Sequence, residues 1–171
     1  VDRDSVPGAD PAVRRATPRD AGTVAVLLDA FNREFDVPTP GPEVLAARLE
    51  RLLAGDSTVA LLVGEPAVGF ALITLRPNVW YDGPVGLLDE LYVVPGHRNR
   101  QLGTRLLAAA EEVVRERGGE LLEIPVDGED HDTRRFYERH GYTCREPGQQ
   151  EDQVYYHREL AAGRSRPAQR R

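Results

Sequence analysis

The chain contains no lysine: all 22 of its basic residues are arginine. That excludes a Schiff-base lysine and a P-loop lysine from its chemistry. A single cysteine, Cys144, excludes an intramolecular disulfide and fits a reducing cytoplasm, the expected location. No apolar run is long enough to span a bilayer, and the opening VDRDSVPGADP lacks the apolar centre of a signal peptide, so no membrane partner is expected. Neither Gly-x-Ser-x-Gly nor a dinucleotide Gly-x-Gly-x-x-Gly occurs. His97, His131, His140 and His157 show no zinc-like spacing with Cys144. Asp127–Asp132 resembles a calcium loop only in charge and lacks the glycine its sixth position needs, so no metal is expected. A net charge of −6 argues against a nucleic-acid partner and mildly favours cationic ones.

What is present reads as one ordinary globular domain: 171 residues, 40% hydrophobic and 29% charged. The domain is placed at residues 12–160, between a disordered arm over 1–11 and a basic, disordered tail over 161–171. Ala12–Ala16 reads as a strand, and Thr17-Pro18 opens a helix whose Ala21, Val24, Ala25, Leu28, Phe31 and Phe35 form one apolar face. Prolines at 38, 40 and 42 break it. A second helix carries Val44, Leu45, Leu49, Leu52 and Leu53 and stops at Gly55. Thr58–Val63 and Val68–Leu75 read as a hairpin about Gly64-Glu65-Pro66, followed by a longer connection, Arg76–Gly86. After the next strand come a helix over Leu102–Arg117, a strand over Leu121–Val126 interrupted by Pro125, and a short helix over Thr133–His140 stopped by Gly141. Tyr142–Arg145 and Gln153–Glu159 read as a last strand pair. There is no internal repeat. This order implies an α/β (α+β) fold with a mixed, mostly antiparallel sheet, a parallel pair in it, and about four helices.

One stretch organises the rest. Leu87–Leu107, LLDELYVVPGHRNRQLGTRLL, is a strand, an arginine-rich turn and a helix start. Arg98, Arg100 and Arg105 stand at the helix end where the dipole disfavours positive charge, and an anion among them would resolve that conflict. A solvated basic turn is the plainer reading.

The turn and the order of elements resemble the GNAT superfamily of N-acetyltransferases, whose acyl-CoA motif is Arg/Gln-x-x-Gly-x-Gly/Ala after a strand ending in Val-x-Pro. Val93-Val94-Pro95, Arg98 and Gly103 match, and Gln101 stands in place of the middle glycine, where glycine serves a positive φ or a close approach. A second stretch, Asp130–Tyr142, resembles the family's Asn-x-x-Ala-x-x-Phe-Tyr-x-x-x-Gly-Phe signature through Phe136, Tyr137 and Gly141. Asp130, Thr133 and Tyr142 replace Asn, Ala and Phe there. The resemblance covers Ala12 to Leu160. It implies acetyl-CoA as cosubstrate. The backbone of Leu91, Tyr92 and Val93 would bind the acetyl and pantetheine part. The turn from Arg98 through Asn99, Arg100, Gln101, Leu102 and Gly103 to Thr104 would hold the pyrophosphate, with Asp130 and Phe136 also on the cofactor side. Pro125 offers no N–H to a neighbouring strand, which suits a splayed parallel pair or equally an edge irregularity.

An alkyl ammonium must lose a proton before it attacks a thioester. Glu90 or Asp89, on the strand nearest the acyl group, can take it. Neighbours on a strand face opposite ways, so only one reaches the pocket unless a bulge re-aims the pair. Glu90 is preferred and Asp89 is the alternative; both could instead only bind a cationic acceptor. By resemblance Tyr137 protonates the departing thiolate, the plainer reading being a half-buried core aromatic. The implied activity is acetyl transfer to a primary amine of a small molecule or peptide. Glu34, Asp36 and Asp82 join the Asp89–Glu90 pair in suggesting a cationic acceptor. A catalytically weak CoA-binding sensor is the competing reading, and a homodimer is left open.

Overall fold

In the computed structural model, which describes residues 11–158, the alternating apolar runs become a five-stranded sheet in the order β1-β2-β3-β4-β5. The strands are β1 (Val13–Arg15), β2 (Thr58–Val63), β3 (Gly69–Arg76), β4 (Val85–Val93) and β5 (Leu122–Glu123). The first four run antiparallel to their neighbours, and β5 lies parallel to β4. Two compact units divide the chain, one ending at Glu123 and the other beginning at Ile124. The expected arm over 1–11, except Pro11, and the tail over 161–171 lie outside the described residues.

The first unit takes its core from period-2 alternation on the strands. Ala60 and Leu62 of β2, Phe70 and Leu72 of β3 and Tyr92 of β4 pack against α1 (Ala21–Glu34) and α2 (Pro42–Leu53). The alternate set, Leu61, Val63, Ala71 and Ile73, is buried on the opposite face. There α3 (Leu102–Glu116) contacts β2, β3 and β4, burying Leu102, Leu106, Leu107, Ala110, Val113 and Val114. Gly86 allows this approach, since a Cβ there would collide with the Val114 side chain. Ahead of α1, the Asp20 carboxylate accepts from the Thr17 amide at 2.8 Å and its hydroxyl at 2.9 Å. This is the reciprocal half of a capping box, so the Thr17-Pro18 start falls where it is read in the sequence.

In the second unit α4 (His131–Arg139) ends at Gly141, φ +87°. Gly141 N–H donates to Glu138 O at 3.0 Å and Tyr142 N–H to Tyr137 O at 3.1 Å, the two bonds of a Schellman closure. The strand pair expected at Tyr142–Arg145 and Gln153–Glu159 is not formed over its described residues. Val154, Tyr155 and Tyr156 are 68%, 78% and 88% exposed, so these residues gain no burial to repay the ordering of a strand. Residue 159 lies outside the described range. The strand expected over Leu121–Val126 is shortened to Leu122–Glu123, ending before Pro125. No helix among the described residues is long and apolar enough to cross a membrane.

Candidate active site

Strand β4 carries the two carboxylates, and its register decides how they face. Ile73 of β3 pairs with Leu88, and the next residue, Leu72, pairs with Glu90, so Asp89 is an extra residue, a bulge. Leu72 faces the α1–α2 side of the sheet, and Glu90 lies across from it on the same side. Thr74, two residues along β3, also faces that way, and its hydroxyl donates to Asp89 Oδ2 at 2.6 Å. The bulge thus turns adjacent carboxylates to one face. Burial pushes the Asp89 carboxyl above the ordinary aspartate range, and the hydrogen bond from Thr74 opposes that rise. Nothing in the sequence flags Thr74, since its role arises only from the strand pairing.

Past the bulge, β4 continues through Leu91, Tyr92 and Val93. The β4–β5 ladder consists of Gly86 with Leu122 and Leu87 with Glu123. Beyond it, Leu88–Val93 keep a ladder on the β3 side, while no pairing with β5 continues among the described residues.

The chain then passes a short 3-10 turn, Pro95–His97, into the arginine turn. Asn99 and Gln101 both have left-handed backbones, φ +60° and +61°. Gln101 is the N-cap of α3 and makes no side-chain cap; its carbonyl receives the first helical bond, from Arg105 N–H at 3.0 Å. The two left-handed residues bend the chain into the helix, whose first turn carries N–H groups with no acceptor inside the helix. No acidic residue occupies that first turn. Gln101 takes up the backbone that glycine would supply, so its replacement of glycine leaves the turn's shape intact.

The three arginines do not behave alike. Arg100 is exposed and Arg105 half-buried. Arg98 is engaged: its Nε donates to Val93 O at 2.9 Å, and Nη2 lies 2.7 and 2.8 Å from the two oxygens of Glu34 at the end of α1. Its guanidinium carbon also sits 5.6 Å from the centre of the Tyr92 ring. No sequence signal connects Glu34 to this turn.

In the second unit Asp130 caps α4, accepting from Thr133 N–H at 3.0 Å. Tyr137 is buried, 8% exposed, with its ring edge-on to Phe136 at 5.2 Å and to Tyr142 at 5.8 Å. The matched signature therefore builds a small aromatic cluster. Asp36 and Asp82, read as acceptor-side charges, are exposed. Asp82 lines a cavity of about 400 Å³ with Asp56, Tyr81 and Arg117, among others. That cavity lies where β4 begins, whereas the arginine turn follows its end.

Residues 24–142 match the model of the Acetyltransferase (GNAT) family. The aminoalkylphosphonate N-acetyltransferase of Salmonella typhimurium is 31% identical over 131 residues, covering 76% of this chain and 83% of that protein. A crystal structure from Arthrobacter sp. FB24, of assigned acetyltransferase class, is 58% identical with a TM-score of 0.83, covering 92% of this chain and all (100%) of the other. The aminoglycoside acetyltransferase AAC(6')-Iy, solved with a CoA-S-monomethyl-acetylneamine bisubstrate analogue, shares the fold at a TM-score of 0.72 and 18% identity, covering 90% of this chain and 100% of that one.

Proposed function

The chain belongs to the acetyltransferase (GNAT) family of acyl-CoA-dependent N-acetyltransferases, and from that premise we propose that it moves the acetyl group of acetyl-CoA to a primary amine of a small, cationic acceptor by direct attack. The observation that carries this is the Asp89 bulge, which sets two carboxylates on one face of β4. The turn from Asn99 to Thr104, with two left-handed residues leading into the positive end of a helix, suits the pyrophosphate. Small amines are the named acceptors of relatives, an aminoalkylphosphonate in one and an aminoglycoside in another.

At pH 7 less than about 0.1% of an alkyl amine of ordinary pKa is neutral, so the ammonium proton must leave, directly or through water, to a carboxylate. Burial raises the basicity of Asp89 above that of an ordinary aspartate, which supports Asp89 as the base, with Glu90 drawing the cation in. The freed nitrogen lone pair forms the bond to the thioester carbonyl carbon. As the carbonyl re-forms, the C–S bond breaks and its electron pair leaves on sulfur. Tyr137 gives that sulfur its proton. As the adduct collapses the nitrogen gives its second proton to solvent, so the products are the N-acetyl amide and CoA thiol; solvent also takes the proton from Asp89 and returns one to Tyr137, a net release of one proton.

The test is thiol release from acetyl-CoA with a panel of amines. Tyr137→Phe should lower kcat about a hundredfold and leave KM for acetyl-CoA unchanged, whereas an unchanged kcat removes Tyr137 as the acid. Asp89→Asn should lower kcat/KM for the amine by a similar factor. In the parent enzyme the rate should fall with acid through a pKa above the ordinary aspartate value, because protonated Asp89 cannot act as base. Asparagine keeps an oxygen for Thr74 and removes a buried charge, so the melting temperature at pH 7 should not drop. Binding of acetyl-CoA without thiol release from any amine would give the site to a CoA sensor instead.

A further inference from the structure

Arg98 occupies the first position of the acyl-CoA motif, and its side chain is spent on the protein itself. Nε closes the turn back onto Val93 O at 2.9 Å, while Nη2 reaches both Glu34 oxygens at 2.7 and 2.8 Å. The Tyr92 hydroxyl donates to the same carboxylate at 3.1 Å, and the Tyr92 ring stacks on Phe31 at 5.0 Å. Burial, then the bond to Glu34, pushes the Tyr92 hydroxyl above its ordinary pKa, so it stays a donor at neutral pH. Immediately after Arg98 come Asn99 and Gln101, two non-glycine residues in left-handed conformations. Such residues persist only when their surroundings over-determine them. A phosphate that recruited Arg98 would have to break its pairing and would meet the Glu34 carboxylate beside it.

We propose that Glu34, Tyr92 and Arg98 form a tie from the end of α1 to the phosphate turn, making Arg98 a positioning residue for CoA and not a phosphate ligand. The proposal rests on the acyl-CoA reading of the turn. Through the tie, the helix that borders the carboxylate face of the sheet also sets the shape of the anion-binding turn. The ion pair is partly exposed, 40% for Arg98 and 26% for Glu34, so its loss should loosen the turn without unfolding it.

The test is calorimetric binding of CoA to the full chain at low and high salt, for the parent and for Glu34→Gln, Arg98→Gln and the double variant. Under the tie each single change weakens CoA about fivefold, and the double change costs no more than either, since all three break one device. The salt dependence stays that of the parent. Arg98→Lys keeps the charge but loses the planar fork, so it should behave like Arg98→Gln. Tighter binding by Glu34→Gln would overturn the proposal, because it would mean that freeing Arg98 supplies a phosphate contact. So would a silent Glu34→Gln together with an Arg98→Gln that flattens the salt dependence. If the parent itself does not bind CoA, the acyl-CoA reading of the turn fails, an outcome distinct from a bound CoA indifferent to Glu34.

Discussion

The helices α3 and α4 begin in opposite ways. At α4 the protein supplies its own anion: Asp130 accepts from Thr133 N–H at 3.0 Å, and Asp132 stands in the first turn. At α3 neither the N-cap nor the first turn supplies one. Gln101 makes no side-chain cap, the first turn has no acidic residue, and the preceding chain is curled by left-handed Asn99 and Gln101. A helix start that the chain has already capped has little left for a ligand, whereas one left open among arginines has both N–H groups and dipole to offer. The two also depart differently from the family pattern. Aspartate for asparagine at 130 keeps the oxygen a cap needs. Glutamine for glycine at 101 keeps the backbone shape, at the cost of holding a side chain in a conformation that glycine adopts freely.

Closing the open helix start is the strongest way to break this contrast. Gln101→Asp tolerates the left-handed backbone better than glutamine does and puts a carboxylate on the α3 amides. It should weaken CoA about thirtyfold, measured by calorimetry, through like-charge repulsion at the helix start. Unchanged affinity would move the pyrophosphate away from this turn. Opening the closed start is the next largest change. Asp130→Ala should cost about 1 kcal/mol in chemical denaturation, and Asp130→Asn should lie within about 0.5 kcal/mol of the parent. A fall in CoA affinity beyond that loss would bring Asp130 into the cofactor site and end the contrast. The smallest effect sharpens it: Gln101→Gly should stabilise the fold by about 0.5–1 kcal/mol with CoA affinity within about twofold, read from unfolding and binding side by side.

Much of the fold is legible in the sequence because burial imposes a period. Thr58–Val63 and the stripe on α3 could bury their apolar side chains only as a strand and a helix, and they do so within a residue or two of the expected bounds. Gly141 stops α4 because a Schellman closure needs a left-handed residue. At Tyr142–Arg145 and over the described part of Gln153–Glu159, β-forming residues occur without a buried face to reward them, and no strand forms. At the site, the residue types were legible and their relations were not. The Leu72/Ile73 register shift that makes Asp89 a bulge is a property of two strands, and no local pattern on β4 announces it.

From the sequence alone came the family, the order of elements, the two helix starts and the shortlist of Asp89, Glu90, Arg98 and Tyr137, because each is written in neighbours close along the chain. Only the tertiary structure decided that both carboxylates share a face, that Thr74 holds one of them, and that Arg98 is tied to Glu34. Those facts depend on strand register and on α1 meeting the end of β4, contacts between residues far apart in sequence whose geometry is fixed only once the core is packed.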